Sequence, residues 1–453
     1  MNILLFIIDA LRPDHLSGNG YFRGTSPNID KLLLEGTSFS NAYCVFPRTD
    51  PSMMSIFTGV YSHNHGLRLV SNNKFNSSLA TLPEILSSHG YETIFLDADA
   101  IHDSAIERGF KIFNPIQWKI RNKIQRYLFK LLHPKSSLGP TEQYADLAVK
   151  WIRKNREKKF FLCYHPIDLH WPYNPPNPYS HMFDQNYKGS HDFNTLGNGK
   201  FSRGDLIFGN VKLPDEEVKH AIAHYDGGVK YNDEQIGKIM DTINDLGLRD
   251  DTLVIITSDH GESFGEHGFY FQHGASLYEP SLKVPLIFYH PPLIPKARRI
   301  EQRVSNMSIT PSILDLAGIP IIDNLDASSL MPLITGKGSN GDDFIFAESI
   351  EEHFKGNKRV FFQGIKGKWR AMIVGDYKII CIPHPDEDIF EIYDLKNDPD
   401  ETRNIFEKGN PSFESLKRKL LDYVKKQNNE GDADVENLEK KSRELLKKLG
   451  YLE

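Results

Sequence analysis

Short apolar runs alternate with longer segments of mixed polarity along most of this chain. Uninterrupted runs of Ile, Leu, Val and Phe are typical of strands that are buried on both faces of a parallel sheet. The longer segments between them match helices that cross over from one strand to the next. The runs predict strands at residues 2–8, 92–97, 159–165, 253–258 and 284–289.

One long helix is predicted over residues 214–246, where apolar residues recur at helical spacing. Its apolar stripe is expected to pack against the core, and the pair Gly227-Gly228 is expected to loosen the helix locally. The segment 171–212 is rich in proline and polar residues. It is therefore predicted to form loops at the rim of the site, where they would select the substrate.

These elements predict an α/β fold with a large, mostly parallel sheet flanked by helices over residues 1–340. A smaller α+β domain is expected over 341–405, where a Gly-Asp pair between two apolar runs signals a hairpin. The charged segment 406–453 predicts surface helices. The basic run 118–132 predicts a helix packed on the domain, with attachment to an anionic membrane as the alternative.

Two of the predicted strands end at residues that bind metals. The first leads into Asp9, and the fourth leads into Asp259, His260 and Gly261. In an open α/β sheet, ligands bind beyond the carboxyl ends of the strands. Two carboxylates and an imidazole suit a divalent transition metal. The alternative is that each acid only caps the turn after its strand.

Thr49 is a candidate nucleophile, because it precedes a helix-compatible run that contains Pro51 and ends at Gly59. Proline suits the first turn of a helix. A hydroxyl there lies near backbone N–H groups and the positive end of the helix dipole, which favour its alkoxide. The sequence leaves open a second interpretation, in which Thr49 is a helix N-cap.

Five segments, in order, resemble the signatures of one enzyme family: residues 8–17, 25–32, 259–268, 278–287 and 392–402. The set resembles the sulfatases, within the alkaline phosphatase superfamily, over residues 1 to about 405. The resemblance implies an alkaline phosphatase-like catalytic domain closed by a small C-terminal sheet domain. It also implies hydrolysis of an ester at a metal centre.

The motif that sulfatases convert to formylglycine is absent. That motif reads Cys or Ser, then x-Pro-x-Arg, and here Thr49 and Met53 stand at the positions of its first and last residues. Threonine cannot form the aldehyde. Cys44 begins a near-miss of the motif and is interpreted as an ordinary buried thiol. Ala10 replaces the second acid of the family's first metal motif.

The family's Lys-x-His substrate pair is missing too, since the strand at 92–97 leads into Asp97-Ala98-Asp99. A sulfo-threonine cannot expel sulfate by breaking its own C–O bond, whereas metal-assisted water readily attacks a phospho-threonine at phosphorus. Thr49 therefore favours phosphoryl or phosphonyl chemistry. It resembles the threonine-dependent branch, which includes phosphoglycerol and phosphoethanolamine transferases.

The predicted site has four groups of residues. One divalent metal is held by Asp9, Thr49, Asp259 and His260. Catalysis is assigned to Thr49 as nucleophile and to His170, which protonates the leaving alcohol. Contacts with the anion are assigned to His273, Arg48, Asn64 and Arg12. The nearest candidates for a second metal set are Asp168, His170 and His273. Both histidines have a simpler alternative, as hydrogen-bonded loop residues.

Metal identity follows from the donor atoms. Ala10 removes a hard oxygen ligand and His260 adds nitrogen, so Mn²⁺ or Zn²⁺ is favoured, with Mg²⁺ or Ca²⁺ as alternatives. The expected partner is a small anionic ester, on a glycan or a lipid.

Composition narrows the class of protein. The net charge of −6 over 453 residues argues against nonspecific nucleic-acid binding. The three cysteines have no paired spacing, and no apolar run reaches the ~20 residues of a membrane span. These features, with no signal peptide in view, predict a cytoplasmic location. An oligomer stays open.

A metal-dependent hydrolase of a phosphate, phosphonate or sulfate ester is the leading hypothesis. A transferase that passes the same group to an alcohol uses the same residues, so the sequence does not separate the two. A third hypothesis is a catalytically weak protein that binds anionic glycans. It would bind without turnover.

Overall fold

A computed structural model of the protein describes residues 1–68, 75–97, 104–113, 140–185, 187, 206, 212–338, 343–355, 358–360, 365–384 and 387–427. Within these ranges, an eight-stranded sheet forms the centre of the molecule. From edge to edge its strands are β12 (Arg298–Ile300), β2 (Thr37–Phe39), β11 (Leu286–Tyr289), β7 (Thr252–Thr257), β1 (Asn2–Ile7), β6 (Phe160–His165), β4 (Glu92–Asp97) and β5 (Ile112–Phe113).

The five strands from β7 to β5 run parallel, whereas β11 is antiparallel to both of its neighbours. Residues along β1 alternate between the two faces of the sheet, as the pleat requires. Ile3, Leu5 and Ile7 enter one hydrophobic cluster, and Leu4 and Phe6 enter the other. Both faces of the sheet are thus covered, which explains the continuous apolar runs.

Helices cover both faces. They are α1 (Pro27–Glu35), α2 (Thr49–Thr58), α3 (Ser62–His65), α4 (Leu82–Ser88), α5 (Pro140–Asn155), α6 (Asp215–Asp245), α7 (Glu279–Leu282), α8 (Ile309–Leu316), α9 (Met331–Thr335) and α10 (411–427). The longest of them, α6, packs on the same face as α5 and buries Ile236, Ile239 and Ile243. Helix α2 lies on the opposite face, where Met54 and Phe57 enter the core.

Small sheets surround the main one. A three-stranded sheet joins β10 (Lys283–Val284), β3 (Ala42–Tyr43) and β13 (Val304–Ser305), and a two-stranded sheet joins β8 (Ser263–Phe264) and β9 (Tyr270–Gln272). The C-terminal part holds a five-stranded antiparallel sheet. Its order is β15 (Lys358–Val360), β14 (Ile345–Lys355), β16 (Ile365–Val374), β17 (Tyr377–Ile382) and β18 (Ile389–Asp394).

A buried ion cluster joins the C-terminal sheet to the catalytic part. Lys378 of β17 is fully buried, and its Nζ lies 3.0 Å from Glu279 Oε1 and 2.6 Å from Glu401 Oε1. The hydroxyl of Tyr43 donates to Glu279 Oε2 (3.1 Å). Trp369 of β16 is also buried and belongs to the same hydrophobic cluster as α2. The two parts therefore share one core.

The predicted α/β fold is confirmed, with a large mixed sheet flanked by helices and a smaller C-terminal sheet. All five predicted strands occur in the main sheet, although β11 begins at Leu286 because residues 283–284 form β10. The predicted hairpin at residues 375–376 joins β16 and β17. The division of the chain at residues 340 and 405 stays a prediction.

The expected loosening of α6 at its glycine pair is wrong, since the helix runs unbroken from Asp215 to Asp245. The glycines instead admit neighbouring chain. A Cβ at Gly227 would lie 2.2 Å from the carbonyl oxygen of Tyr179, and one at Gly228 would lie 2.8 Å from Leu169 Cδ2. The basic run 118–132 and the tail after residue 427 lie outside the described residues.

Candidate metal centre and catalytic site

The carboxyl ends of β1 and β7 meet at one rim of the sheet, as predicted. Residues 2–7 pair in register with residues 252–257, so Asp9 and Asp259 follow neighbouring strands. The amide of Ala10 donates to Asp259 Oδ1 (3.2 Å). Asp9, Asp259 and His260 are fully buried, and one ligand atom from each lies within 4.8 Å of the others.

The protonation of His260 is fixed by its neighbours. Its Nδ1 lies 2.9 Å from the carbonyl oxygen of Gly261, which can only accept, so Nδ1 carries the proton. Burial lowers the pKa of His260 and favours the neutral ring. Its Nε2 therefore presents a lone pair to Asp259 Oδ2 at 3.2 Å and to Asp9 Oδ1 at 3.8 Å.

The lone pair of His260 Nε2 and the carboxylate oxygens of Asp9 and Asp259 thus converge on one point. Both oxygens of Asp9 and the Oδ2 of Asp259 are buried and have no hydrogen-bond donor among the described residues. Burial raises the pKa of Asp9 well above its usual range, and the charges of Asp259 and Glu262 add to the rise. Such an arrangement is unfavourable unless a cation compensates it. The donor set fits a divalent metal that accepts nitrogen and oxygen.

Thr49 is the first residue of α2, and its Oγ1 lies 3.4 Å from His260 Nε2. The helix points its N-terminus at the cluster, and every residue from Thr49 to Thr58 is buried. Arg48 is the N-cap residue, so the N-cap interpretation of Thr49 is not supported. Thr49 belongs to the same cluster as the three metal-binding candidates.

His170 and His273 extend the site in one direction. The ring of His273 stacks on that of His260 with centroids 3.9 Å apart, and it meets the ring of His170 edge to face at 5.0 Å. His170 Nδ1 lies 2.7 Å from the carbonyl oxygen of Trp171, so proton transfer by His170 would use Nε2. His273 Nδ1 lies 3.2 Å from Glu262 Oε2.

The predicted second metal set does not assemble. Asp168 Oδ2 accepts a short hydrogen bond from Thr141, and burial raises the pKa of Asp168 to about 6. Among the residues that the structure describes, the one cluster with metal-binding geometry is that of Asp9, Asp259 and His260. His170 and His273 therefore lie beside the metal cluster without Asp168.

Besides His273, the three other predicted anion contacts differ in their surroundings. Arg48 is partly buried beside Thr49, where burial lowers its pKa and the charge of Asp50 acts in the opposite direction. Arg12 is held by Asp14 and Glu266, with both ion pairs at 2.6 Å. Asn64 is exposed and donates to Asp326 Oδ2 (2.7 Å). The geometry favours Arg48 over the other two.

Two departures from the family motifs serve packing. Met53 is fully buried in the hydrophobic cluster that also contains residues of the C-terminal sheet. Ala10 adopts φ 57, and its carbonyl oxygen accepts from the hydroxyl of Tyr225 (2.7 Å). Cys44, Cys163 and Cys381 are buried free thiols, in agreement with their widely spaced positions.

The sequence interpretation missed the pair Asp97–His165 at the same rim. These residues end the neighbouring strands β4 and β6 in register, and His165 Nδ1 lies 2.8 Å from Asp97 Oδ1. His165 is 1% exposed, and its Nε2 has no described hydrogen-bond partner. Asp9 is adjacent, since its amide donates to the carbonyl of Pro166 (3.1 Å). The signal was present as two polar residues closing apolar strands.

Comparison with known protein families shows which families and proteins this chain is similar to. The family model described as Sulfatase matches residues 1–319, and the model described as N-sulphoglucosamine sulphohydrolase, C-terminal, matches residues 265–430. Arylsulfatase K of Rattus norvegicus is 27% identical over 442 residues, which cover 88% of this chain and 74% of that protein.

Solved structures agree. Phosphonate monoester hydrolase from Silicibacter pomeroyi superposes with a TM-score of 0.73 at 20% identity, covering 95% of both chains. A protein solved in complex with its substrate D-glucosamine-2-N,6-O-disulfate gives a TM-score of 0.71 at 20% identity. It covers 95% of this chain and 98% of that one. At this identity the likeness establishes the fold.

The predicted cytoplasmic location is wrong, because the relatives named arylsulfatase K are sulfatases of the lysosomal and endoplasmic-reticulum type. Among the described residues, every helix is too short or too polar to cross a bilayer. The Sulfatase model covers residues 1–319, which include the metal-binding candidates at the strand ends, helix α2 with Thr49, and both His170 and His273. The chain belongs to the sulfatase family of ester hydrolases.

Proposed function

We propose that this chain hydrolyses a phosphonate, phosphate or sulfate ester through a covalent intermediate on Thr49. One observation carries the proposal: the Thr49 hydroxyl lies 3.4 Å from His260 Nε2, in the same cluster as the buried oxygens of Asp9 and Asp259 that have no described hydrogen-bond partner. A hydroxyl at a helix N-terminus and next to a cation site is activated as a nucleophile. The names of relatives and structural neighbours support sulfate and phosphonate esters as substrates, since they include arylsulfatases and phosphonate monoester hydrolases.

The residues that would hold a divalent cation are Asp9, Thr49, Asp259 and His260. When bound, the cation supplies positive charge that favours the Thr49 alkoxide and offsets the charge of the transferred group. The two carboxylates and neutral imidazole lean towards Mn²⁺ or Zn²⁺. Arg48, partly buried beside Thr49, contributes a positive charge for the substrate anion.

In the first half-reaction, Thr49 Oγ1 gives up its proton to solvent and forms a bond to phosphorus or sulfur. The bond from that atom to the ester oxygen breaks, and its electron pair leaves with the oxygen. His170 Nε2 gives a proton to this oxygen, because Nδ1 is held by the carbonyl of Trp171. His273, stacked on His260, fixes the ring of His260 and separates it from His170.

In the second half-reaction, water attacks the phosphorus or sulfur atom and the bond to Thr49 Oγ1 breaks. His170 Nε2 takes a proton from the attacking water, and the threonine oxygen takes back a proton from solvent. Phosphorus accepts this attack more readily than sulfur, and threonine lacks the hydrate hydroxyl that formylglycine uses to expel sulfate. The phosphonate and phosphate esters are therefore favoured within the proposal.

A turnover panel on the metal-supplemented protein tests the proposal. It compares nitrophenyl phosphate, bis-nitrophenyl phosphate, a nitrophenyl phosphonate monoester and nitrophenyl sulfate. We expect the highest kcat/KM for a phosphorus ester. If nitrophenyl sulfate is the best substrate, the preference for phosphorus is wrong. If none of the four esters is turned over with any metal, the proposed hydrolysis is wrong. Addition of glycerol or ethanolamine as acceptor distinguishes a transferase, which would form the corresponding phosphodiester instead of the free acid.

His165 gives a second test of the proposal. It lies next to Asp9, and its buried Nε2 has no described hydrogen-bond partner. We expect His165→Ala to lower kcat/KM by about 10- to 100-fold, a typical effect of removing a group that orients a metal ligand or the reacting anion. The control is His89→Ala, an exposed histidine at the C-cap of α4. Equal activity of both variants would assign His165 to packing alone.

A further inference from the structure

A carboxylate and an imidazole close two neighbouring strands beside the candidate metal centre. Asp97 is the last residue of β4, His165 is the last residue of β6, and the two are paired in register. Both residues are 1% exposed, and His165 Nδ1 lies 2.8 Å from Asp97 Oδ1. Since the Lys-x-His pair of the sulfatases is absent after this strand, β4 brings a carboxylate to the rim instead of a cation.

The imidazole of His165 lies on the face of the sheet that α2 covers. Side chains two residues apart on a strand point to the same face. Cys163, two residues before His165, belongs to the hydrophobic cluster that contains Phe57 of α2. The N-terminus of α2 brings Thr49 to His260 at the rim. His165 is therefore on the side of the sheet from which Thr49 approaches the candidate metal centre.

The second ring nitrogen of His165 is turned away from β4. The two nitrogens of an imidazole point in nearly opposite directions, and Nδ1 is held by Asp97. The strand on the other side of β6 is β1, which leads into Asp9. The amide of Asp9 donates to the carbonyl oxygen of Pro166 (3.1 Å), so the two strand ends are joined. Nε2 is buried on this side without a hydrogen-bond partner among the described residues, which is costly unless a ligand supplies one.

The charges around His165 favour a protonated ring. Burial acts to lower the pKa of His165, but the hydrogen bond and charge of Asp97, with the charges of Asp259 and Asp50, outweigh burial and raise it. The cation that faces the ring is His260 when it is protonated, since the charge of His165 acts to lower the pKa of His260. Asp97 and Asp50 are not metal-binding candidates, so their charges still favour the imidazolium when the metal centre is occupied.

We propose that His165, held by Asp97, donates a hydrogen bond from Nε2 to a non-bridging oxygen of the phosphonate, phosphate or sulfate group that is transferred. This inference rests on the proposed function, because it places that group at the Asp9 cluster. A charged donor fixes the tetrahedral anion and stabilises the charge on its oxygens as the bond to Thr49 forms. Asp97 is a positioning residue, which sets the tautomer and the orientation of the ring.

Binding of inorganic sulfate to the metal-loaded protein tests the contact, because it needs no bond to Thr49. Isothermal titration calorimetry compares His165→Asn, whose amide can keep the contact with Asp97, with His165→Gln, whose longer side chain can place a donor near the position of Nε2. We expect His165→Asn to weaken sulfate binding by about 10- to 100-fold and His165→Gln by less. Binding by His165→Asn that equals or exceeds that of His165→Gln overturns the proposal, as does a parent that binds no sulfate.

The pH dependence of sulfate affinity is a readout that a packing role would not move. Sulfate keeps its charge between about pH 5 and pH 9, so a change in affinity reports the protein. The parent's affinity should fall as pH rises through the pKa of His165, because the proton on Nε2 is lost. This step should be absent in His165→Gln. Asp97→Asn removes the hydrogen bond and charge that raise the pKa of His165, so its step should move to lower pH. A step that stays in His165→Gln, or that does not move in Asp97→Asn, overturns the proposal.

The matched control is His290→Gln. His290 is also buried, its Nδ1 has no described hydrogen-bond partner, and it follows directly after strand β11. Because β11 is antiparallel to β7, His290 lies at the opposite rim of the sheet. This variant should keep the parent's sulfate affinity and pH step, and a loss equal to that of His165→Asn would overturn the proposal. If sulfate binding follows these expectations while Thr49→Ala keeps its turnover, the inference stands and the covalent step on Thr49 is wrong.

Discussion

The substitution Thr49→Ala is expected to lower kcat/KM on the best ester substrate by on the order of 10⁴-fold or more. The loss is large because Thr49 Oγ1 is the described hydroxyl that lies beside His260 Nε2 and the Asp9–Asp259 pair. Removal of the nucleophile leaves only water to attack the substrate directly. Steady-state kinetics on the phosphonate and phosphate monoesters measures the effect, with metal content determined on the same samples.

The matched control is Thr58→Ala, at the other end of the same helix. Thr58 is buried, but its Oγ1 donates to the carbonyl of Met54 (2.7 Å), away from the cluster. Its activity should stay within a few-fold of the parent. Intact-protein mass spectrometry after an acid quench should find one phosphoryl or phosphonyl group on the parent and none on Thr49→Ala. Labelling of Thr49→Ala at the parent's stoichiometry would exclude Thr49 as the covalent site.

Lys378→Ala is expected to destabilise the fold by about 3–5 kcal/mol, the usual result of removing one partner of a buried ion cluster. Lys378 is fully buried between Glu279 and Glu401, and its loss leaves two carboxylates facing each other at the junction with the C-terminal sheet. Chemical denaturation measures the change. Lys283→Ala is the matched control, because Lys283 is partly exposed and lies 3.8 Å from the same Glu279. It should cost less than about 1 kcal/mol.

The deficit of Lys378→Ala should also depend on pH. Burial raises the pKa of Glu401 to about 7 even with Lys378 present. Removing the cation raises this pKa further. A carboxyl group with a raised pKa in the folded state favours folding at low pH, and that contribution is lost as pH rises through the folded pKa. The variant should therefore lose more stability at pH 8 than at pH 5. A deficit independent of pH would assign the effect to lost packing.

The sequence predicted the parts of the site that follow from strand order. Apolar runs ending in Asp9 and in Asp259-His260 were sufficient, because the ends of parallel strands share a rim. The sequence also placed Thr49 at the start of a helix, although Thr49 is the first helical residue and Arg48 is the N-cap residue. Its role as nucleophile stays a prediction. Each of these residues is placed by a local element whose signal lies within a few residues of it.

Other parts depend on long-range packing, which the pattern does not encode. Arg12 had the right residue type for an anion contact, but its ion pair with Glu266 comes from 254 residues away. The glycine pair in α6 suggested a weak helix, whereas tight packing against Tyr179 explains it. The ring contact between His181 and His224 was not predictable either, because it depends on that same approach.

The pairing of β1 with β7 also constrains how the protein is made. These central neighbours lie about 250 residues apart in sequence, and the bond between the Ala10 amide and Asp259 spans 249 residues. Contacts of this separation form slowly, because much of the intervening chain must be ordered first. During synthesis, β1 therefore cannot pair with β7 until β7 has emerged from the ribosome. The candidate cation site is complete only then, so we expect metal uptake to follow the pairing of β1 with β7.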